Sequence, residues 1–340
     1  IRLTPQETTS SPQASLKLGV LGAGNYAQMV FLPNLLKPPK VASGCIKSSS
    51  GLSATHAAEK YKFETASSQE SCVLNNPQVN IVTILSRHNH HARQVIEALK
   101  NGKHVYCEKP LAITQEELEE IANMLNQPGL PVLMTGFNRR FAPFSIKMKQ
   151  YFQPYLEPLV INYRINAGFL PLHHWLHDPE QGGGRIIGEA CHFIDYLIFM
   201  TGQIPKKVAA SSLPDANRYC QDNVVLSFTF KDGSIGNISY LANGNKSFPK
   251  ERVEVFSAGK IAVLDDFRSL DLIDEKRRRH FHSRLTQNKG HLDSWKAFLR
   301  AVENGEPSPI PYQEQIAAAL ASIMAARAVS SQGIIDIPLQ

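Results

Sequence analysis

At 340 residues the chain exceeds what one hydrophobic core ordinarily supports, so two domains are expected. A formal net charge of +6 comes with no basic stripe interleaved with aromatics, which argues against nucleic acid, and no apolar run approaches the ~20 residues of a membrane span. The five cysteines (Cys45, Cys72, Cys107, Cys191 and Cys220) are odd in number and form no C-x-x-C pair, so neither a disulfide framework nor zinc is expected, and a reducing, cytoplasmic compartment fits best.

Residues 1–15 are too polar for a signal-peptide core and read as a flexible tail or linker; the start at Ile1 suggests processing or excision from a longer chain. From Leu16 the runs LKLGVL, VASGCI, NIVTIL, KHVYCE and PVLMTGF alternate with amphipathic stretches, the rhythm of a parallel sheet covered by helices, which predicts an α/β dinucleotide-binding domain over 16–138. HARQVIEALKNG places Ala92, Val95, Ile96 and Leu99 on one stripe, with Gly102 as C-cap, and Thr114 and Glu117 stand in capping-box spacing. After residue 139 the texture changes. LVINYRI, VVLSFTF, SIGNISYLA, RVEVFSA and KIAVLDDF are joined by short turns such as Asp232-Gly233, which predicts an α+β domain over 139–340 with a mostly antiparallel sheet. A long helix beginning near Arg185 interrupts it, and two more close the chain and are expected to pack back on the first domain. The run Lys276 to His280 reads as a solvated loop.

LKLGVLGAGNYA sets Gly22, Gly24 and Ala27 in G-x-G-x-x-A register between a predicted strand and a predicted helix. Gly22 serves the tight turn, Gly24 lets the backbone approach a pyrophosphate, and Ala27 lets helix and sheet pack closely. Where such folds usually carry an acid that reads the adenosine ribose of NAD, this chain has Lys47 and Ser48, a cation and a hydroxyl that would tolerate or prefer the 2′-phosphate of NADP. The cofactor expected is NADP or NAD. Lys109, in HVYCEKPLA, follows the fourth of the predicted strands at the edge where open α/β sheets bind ligands. By itself it reads equally as a surface lysine in a turn before Pro110.

Taken together, GVLGAGNYA, SRHNHHA (86–92), GKHVYCEKPLA, GFNRRF (136–141) and GGGRIIGEACHFID (182–195) resemble the Gfo/Idh/MocA family, the group of glucose-fructose oxidoreductase and inositol dehydrogenase. The resemblance implies a Rossmann domain followed by a large open sheet, often a subunit interface, and so a homo-oligomer. It implies catalytic roles for Lys109 and His192. It adds Asn25, Tyr26, Ser86, His88, His91 and Glu108 to the cofactor site, and Arg139, Arg140 and Glu189 to the substrate site. An imidazole with a pKa near 6.5 suits His192 for taking the hydroxyl proton as hydride leaves the same carbon. One departure stands out. Gly188 occupies the place of the family's aspartate, and Glu189, about 100° further round an α-helix, is expected to orient the His192 ring or bind a sugar hydroxyl; Asp195 is a further candidate, with a structural role preferred.

A narrower resemblance lies in NAGFLPLHHWLHDPEQGGGRIIGEACHFID and NKGH (288–291), which look like a subgroup found as the C-terminal half of two-part proteins behind a zinc-type alcohol-dehydrogenase-like half, associated with cell-surface polysaccharide synthesis. It implies that His173, His174 and Trp175 line the substrate side. The order H-H-W-L-H is poor metal-ligand geometry, and no metal is expected. The resulting expectation is an NAD(P)-dependent oxidoreductase acting on a secondary carbinol or carbonyl of a sugar, cyclitol or nucleotide-sugar. Two alternatives stay open: a redox-neutral NAD-dependent sugar-modifying enzyme, and a non-catalytic cofactor-binding sensor or subunit.

Overall fold

In the computed structural model, which describes residues 16–35, 37, 41–283 and 287–338, the chain forms two compact units. The expected tail over 1–15 lies outside the described residues. The first unit draws on the ranges Ile1–Ala112, Glu116–Gly136 and Ser294–Tyr312, and the second on Ile113–Gln115, Phe137–Asp293 and Gln313–Gln340. The stretch Ser294–Tyr312 therefore belongs with the N-terminal part of the chain.

The first unit is built on six strands: β1 (Lys17–Leu21), β2 (Ala42–Lys47), β3 (Thr65–Ser67), β4 (Ile81–Ile84), β5 (His104–Cys107) and β6 (Leu133–Thr135). Their order is β3-β2-β1-β4-β5-β6, and every pairing is parallel. Strands in such a sheet are covered on both faces and read as continuous apolar runs, as IVTI does here with all four residues buried. β3 is too short and too polar to register as such a run. The amphipathic stripe of the helix His91–Lys100 buries Ala92, Val95 and Leu99, while Ile96 stays half-buried. From the C-terminal part of the chain, Trp295 packs edge-on against Phe31 (centroids 5.2 Å) and Tyr106 (5.5 Å), and Ser294 Oγ bonds Tyr106 Oη at 2.8 Å.

The five cysteines behave differently from expectation. Cys45 on β2 and Cys72 in the short helix Ser71–Leu74 form a disulfide with a Cα–Cα distance of 6.3 Å. Their separation of 27 residues has no motif; the two meet only because that helix packs on the sheet beside β2.

The second unit holds a nine-stranded sheet: β7 (Val160–Asn166), β8 (Pro205–Ser212), β9 (Asn223–Phe230), β10 (Ile235–Leu241), β11 (Glu251–Ser257), β12 (Lys260–Asp265), β13 (Ser269–Ile273), β14 (Arg278–His282) and β15 (Ile334–Asp336). The order is β14-β13-β12-β11-β7-β10-β9-β8-β15, antiparallel throughout except for the β7–β10 pair. The basic run at 276–280 is a correction: only its start lies in a turn, and Arg278–His282 is an edge strand. There Arg278 and His280 both bond Asp271 across the ladder at 2.8–3.4 Å. Charge on an edge strand blocks pairing with another chain, which is why a strand here reads like a solvated loop.

One face of this sheet carries the helix Cys191–Thr201, where Phe193 and Tyr196 pack edge-on against Tyr163 of β7 at 5.0 and 5.3 Å. Arg139 is buried against β11 and donates to Glu251 through Nε (2.7 Å) and Nη2 (2.9 Å); Lys289 and Tyr163 Oη complete the shell of the same carboxylate at 2.6 and 2.5 Å. Burial opposes ionisation of Glu251, but Arg139 and Lys289 outweigh it and hold the carboxyl well below the usual range. No helix among the described residues is long and apolar enough to cross a membrane.

Because Glu251→Gln leaves Arg139 buried without its counter-charge, it should destabilise the protein by about 3–5 kcal/mol in denaturant unfolding at pH 7. The folded-state pKa is depressed, so this contribution is present above the unfolded value of about 4.3 and lost as pH falls below it. The gap between parent and variant should therefore narrow in acid.

Candidate active site

In the first unit β1 runs into Gly22, whose φ of +113° is open to glycine and strained for other residues. Its N–H donates to Lys47 O at 2.8 Å, and a Cβ there would lie 2.4 Å from Leu85 O, so the backbones of β2 and β4 close in on this turn. Gly24 is the opposite case: a Cβ would meet nothing within 4 Å. The fold leaves that space open, with room for a pyrophosphate to approach the loop backbone. The helix after the turn opens with Gln28 N–H donating to Gly24 O at 3.0 Å and runs as a π-helical segment over Ala27–Phe31, with Ala27 buried as close packing demands. Loop and helix start together fit a dinucleotide. Of the other expected cofactor residues, Asn25 and Tyr26 begin this helix, and Tyr26 Oη donates to Glu108 Oε1 at 2.6 Å, linking the loop to the end of β5.

At the end of β2, Ser48 is buried and Lys47 is half-buried with its ammonium 3.3 Å from Glu70 Oε1. Glu70, which sequence reading missed, also accepts from Arg93 (2.7 Å) and Gln94 (2.8 Å), and Gln94 in turn accepts from Ser86 Oγ at 2.6 Å. Burial raises the Glu70 carboxyl, but hydrogen bonds from Arg93 and Gln94 and the charges of Arg93 and Lys47 bring it below its ordinary value. A carboxylate thus stands beside the cation where dinucleotide folds read the adenosine ribose.

His88 and His91 follow β4, with ring centroids 5.6 Å apart. The structure gives His91 a task other than cofactor contact. It is 1% exposed and spans between Pro110 O (2.7 Å) and Ser86 O (3.2 Å), tying the loop after β4 to the loop after β5. Burial lowers its pKa to about 4, against the two carbonyl oxygens, which raise it. Lys109 is half-buried directly after β5 and Glu108, at the carboxyl edge of the parallel sheet.

In the second unit the glycine run makes a turn into a helix. Gly182 and Gly183 N–H donate to Asp178 O, and Gly183 (φ +73°) and Gly184 (φ +79°) are left-handed immediately before Arg185. The helix then differs from expectation: Ile186–Ala190 is π-helical, and the α-helical part starts at Cys191, one residue before His192. Gly188 and Glu189 both sit in the π segment, so offsets reckoned on 3.6 residues per turn do not apply to them. Glu189 Oε2 accepts from Arg185 Nε (2.8 Å) and from Tyr240 Oη, so this oxygen is held by the protein. His192 is half-buried, its ring 6.1 Å from that of Phe137.

Arg139 and Arg140, expected to meet substrate, are buried counter-charges instead. Arg139 is spent on Glu251; Arg140 is held by both oxygens of Asp195 and by Glu314 (2.6 Å). Burial pushes the Asp195 carboxyl up to about 6 against the pull of Arg140. His174 caps the 3₁₀ turn Trp175–His177, its Nδ1 accepting from Leu176 N–H at 3.2 Å. No group of three or more metal-binding side chains is found among the described residues.

With this geometry in hand, comparison with known proteins is informative. Residues 16–137 match "Oxidoreductase family, NAD-binding Rossmann fold" and residues 157–259 match "GFO/IDH/MocA C-terminal domain", together about two thirds of the chain. The chain belongs to the Gfo/Idh/MocA family and is an NAD(P)-dependent oxidoreductase. It is 26% identical over 266 residues to the uncharacterized oxidoreductase YrbE of Bacillus subtilis (74% of each chain). It is 25% identical over 265 residues to the myo-inositol 2-dehydrogenase of Thermotoga maritima (74% of this chain, 78% of the relative). A solved levoglucosan dehydrogenase in complex with NADH shares the fold, with a TM-score of 0.83 at 20% identity, covering 96% of this chain and all of the other.

Two substitutions test the loop and the end of β2. Gly24→Val should fold with an unchanged melting temperature and lose dinucleotide binding in calorimetry, since its side chain enters space the protein leaves open. Glu70→Gln should raise NADP affinity relative to NAD by about tenfold, because like charges near a surface repel by about 1–2 kcal/mol. An unchanged ratio of the two dissociation constants would remove Glu70 from cofactor discrimination.

Proposed function

We propose that this oxidoreductase acts on a secondary carbinol or carbonyl of a sugar, cyclitol or nucleotide-sugar. The observation carrying the reading is the place of Lys109, directly after β5 at the carboxyl edge of the parallel sheet, in the same unit as the dinucleotide loop. Relatives named myo-inositol 2-dehydrogenase and levoglucosan dehydrogenase support the substrate class. Bound dinucleotide supplies hydride exchange. Lys109 donates a hydrogen bond to the carbinol oxygen, and His192 takes the hydroxyl proton during oxidation and returns it during reduction. Glu189, three residues before His192 and engaged by Arg185 and Tyr240, is proposed as a residue that positions the start of this helix.

The proposal extends to assembly and context. Phe256, Val160 and Ile235 lie in register across β11, β7 and β10 and are all exposed, an apolar row that supports a homo-oligomer formed through the sheet. Residues 166–195 and 288–291 support membership of the subgroup found behind an alcohol-dehydrogenase-like half.

Lys109→Ala and His192→Ala should each lower turnover by roughly 10²- to 10⁴-fold, with dinucleotide affinity and melting temperature near those of the parent, in a stopped-flow assay at 340 nm. The commitment of Glu189 to Arg185 and Tyr240 favours one rival, a cofactor-binding sensor without chemistry. For that rival the parent shows no turnover on any sugar or cyclitol while still binding the dinucleotide.

A further inference from the structure

Two cross-links stand side by side at the carboxyl end of β2. Cys45 and Lys47 are two residues apart on that strand and so share one face of the sheet. Their partners run the opposite way at the start of the helix Ser71–Leu74: Cys45 is bonded to Cys72, and the Lys47 ammonium lies 3.3 Å from Glu70 Oε1. That helix is a single turn of four residues, too short to hold itself in water. It is fixed by the buried Val73 and Leu74 and by the bond from Cys72 to the strand. Val73 N–H and Leu74 N–H both donate to Glu70 O at 2.9 Å, which makes Glu70 part of the tethered turn.

The charge at this point bears on the dinucleotide, because the end of β2 is where such folds read the 2′ position of the adenosine ribose. With Glu70 in place the Lys47 cation is already met by a carboxylate, and a 2′-phosphate brought there meets like charge. Arg93 (2.7 Å) and Gln94 (2.8 Å) bind the same carboxylate from the helix His91–Lys100. Without the tether to β2 those shorter contacts remain, and the longer one to Lys47 is lost first. Lys47 is then left to pair with a 2′-phosphate. Cys45 is 1% exposed while Cys72 is half-buried, so a thiol from solution reaches the bond from the Cys72 side.

We infer that the Cys45–Cys72 bond is a redox latch on cofactor choice: oxidised, it holds Glu70 beside Lys47 and favours NAD; reduced, it frees the turn and shifts preference toward NADP. The two cysteines are positioning residues that act through Glu70. The reductant is a dithiol. One of its thiolates attacks Cys72 Sγ, the S–S bond breaks, and Cys45 leaves as a thiolate that takes up a proton. The second thiolate attacks the mixed disulfide and releases Cys72 as a thiol. The dithiol ends as its own disulfide, having passed two electrons to the protein. The inference goes beyond the proposed function and is independent of the sugar chemistry, but it rests on the end of β2 being the adenosine end of the cofactor site.

The full-length protein is prepared oxidised with glutathione disulfide, where alkylation and mass spectrometry should find three free thiols, Cys107, Cys191 and Cys220, and reduced with dithiothreitol, where all five should be free. Calorimetry then gives dissociation constants for NAD and NADP in each state. Reduction should move their ratio toward NADP by about threefold or more, within the roughly tenfold expected for removing the Glu70 charge altogether. Cys72→Ser should show the reduced ratio with and without dithiothreitol, and Glu70→Gln should show a ratio that dithiothreitol leaves unmoved. Cys45→Ala covers the case in which the serine variant folds poorly. The inference is overturned by five free thiols in the oxidised preparation, by a ratio that reduction leaves unchanged, or by a ratio that still answers to dithiothreitol in the cysteine variants. Equal weakening of both dinucleotides overturns it too, since that marks the bond as a staple of the fold. A ratio shifted by Glu70→Gln but not by reduction refutes the latch alone, and one moved by neither refutes the reading of the β2 end as well.

Discussion

Three buried guanidinium groups hold the second unit together. Arg139, Arg140 and Arg185 are 7%, 6% and 4% exposed, and each meets carboxylates that come from other elements of the chain. Arg139 ties the segment after β6 to β11 through Glu251. Arg140, its neighbour in sequence, reaches the helix Cys191–Thr201 through Asp195 and the helix Tyr312–Ser331 through Glu314. Arg185 binds Glu189 one turn on, Asp222 at the start of β9, and Gly168 O at 2.9 Å. Taking such charges out of water costs several kcal/mol per ion, and the cost is recovered only in one arrangement of the partners. The pairs therefore act on register more than on net stability: a shift of any of these elements strands a buried charge.

His192 lies between two of these attachments. Glu189 precedes it by three residues and is drawn to Arg185 and Tyr240; Asp195 follows it by three and is drawn to Arg140. Its helix is thus fixed from both sides by charge, and from the sheet side by the Phe193 and Tyr196 rings against Tyr163. For the proton transfer proposed above, His192 would need its position held to about half an ångström, and the groups around it supply that precision. The change from π- to α-helix immediately before His192 belongs to the same problem. The Arg185–Glu189 pair spans the π-helical segment, and the α-helix beyond presents Phe193 and Tyr196 to Tyr163 of the sheet.

Much of this fold was legible because its signals are local. The five apolar runs from LKLGVL to PVLMTGF needed only the burial of parallel strands to be read, and G-x-G-x-x-A needed only its position between strand and helix. β3, β14 and β15 escaped notice because short or charged edge strands carry no apolar alternation; β8 and β13 are interior strands that were missed as well. The Cys45–Cys72 bond, the Lys47–Glu70 pair and the Arg139–Glu251 pair escaped for another reason: each joins residues distant in sequence, and nothing at either position marks the partner. GFNRRF illustrates the resulting error. Two arginines inside a recognisable motif suggest ligand contacts, since arginine is ordinarily exposed, and only the fold reveals carboxylates waiting in the interior.

The same distinction sorts the remaining polar groups. Charges that a sequence advertises as ligands, at Arg139, Arg140, Glu189 and Lys47, are met by opposite charges of the protein itself, so a ligand approaching them finds local neutrality. What the fold leaves open is of a different kind: the space over the Gly24 backbone. Backbone amides at a helix start suit the pyrophosphate, whose charge they meet as partial charges along the helix axis. An enzyme that exchanges hydride with a carbinol has reason to keep full charges paired, because an uncompensated field near the reacting carbon would favour or oppose the charge developing there in both directions of the reaction. Under the function proposed above, that balance would fall to Lys109 and to His192, whose helix is held on two sides.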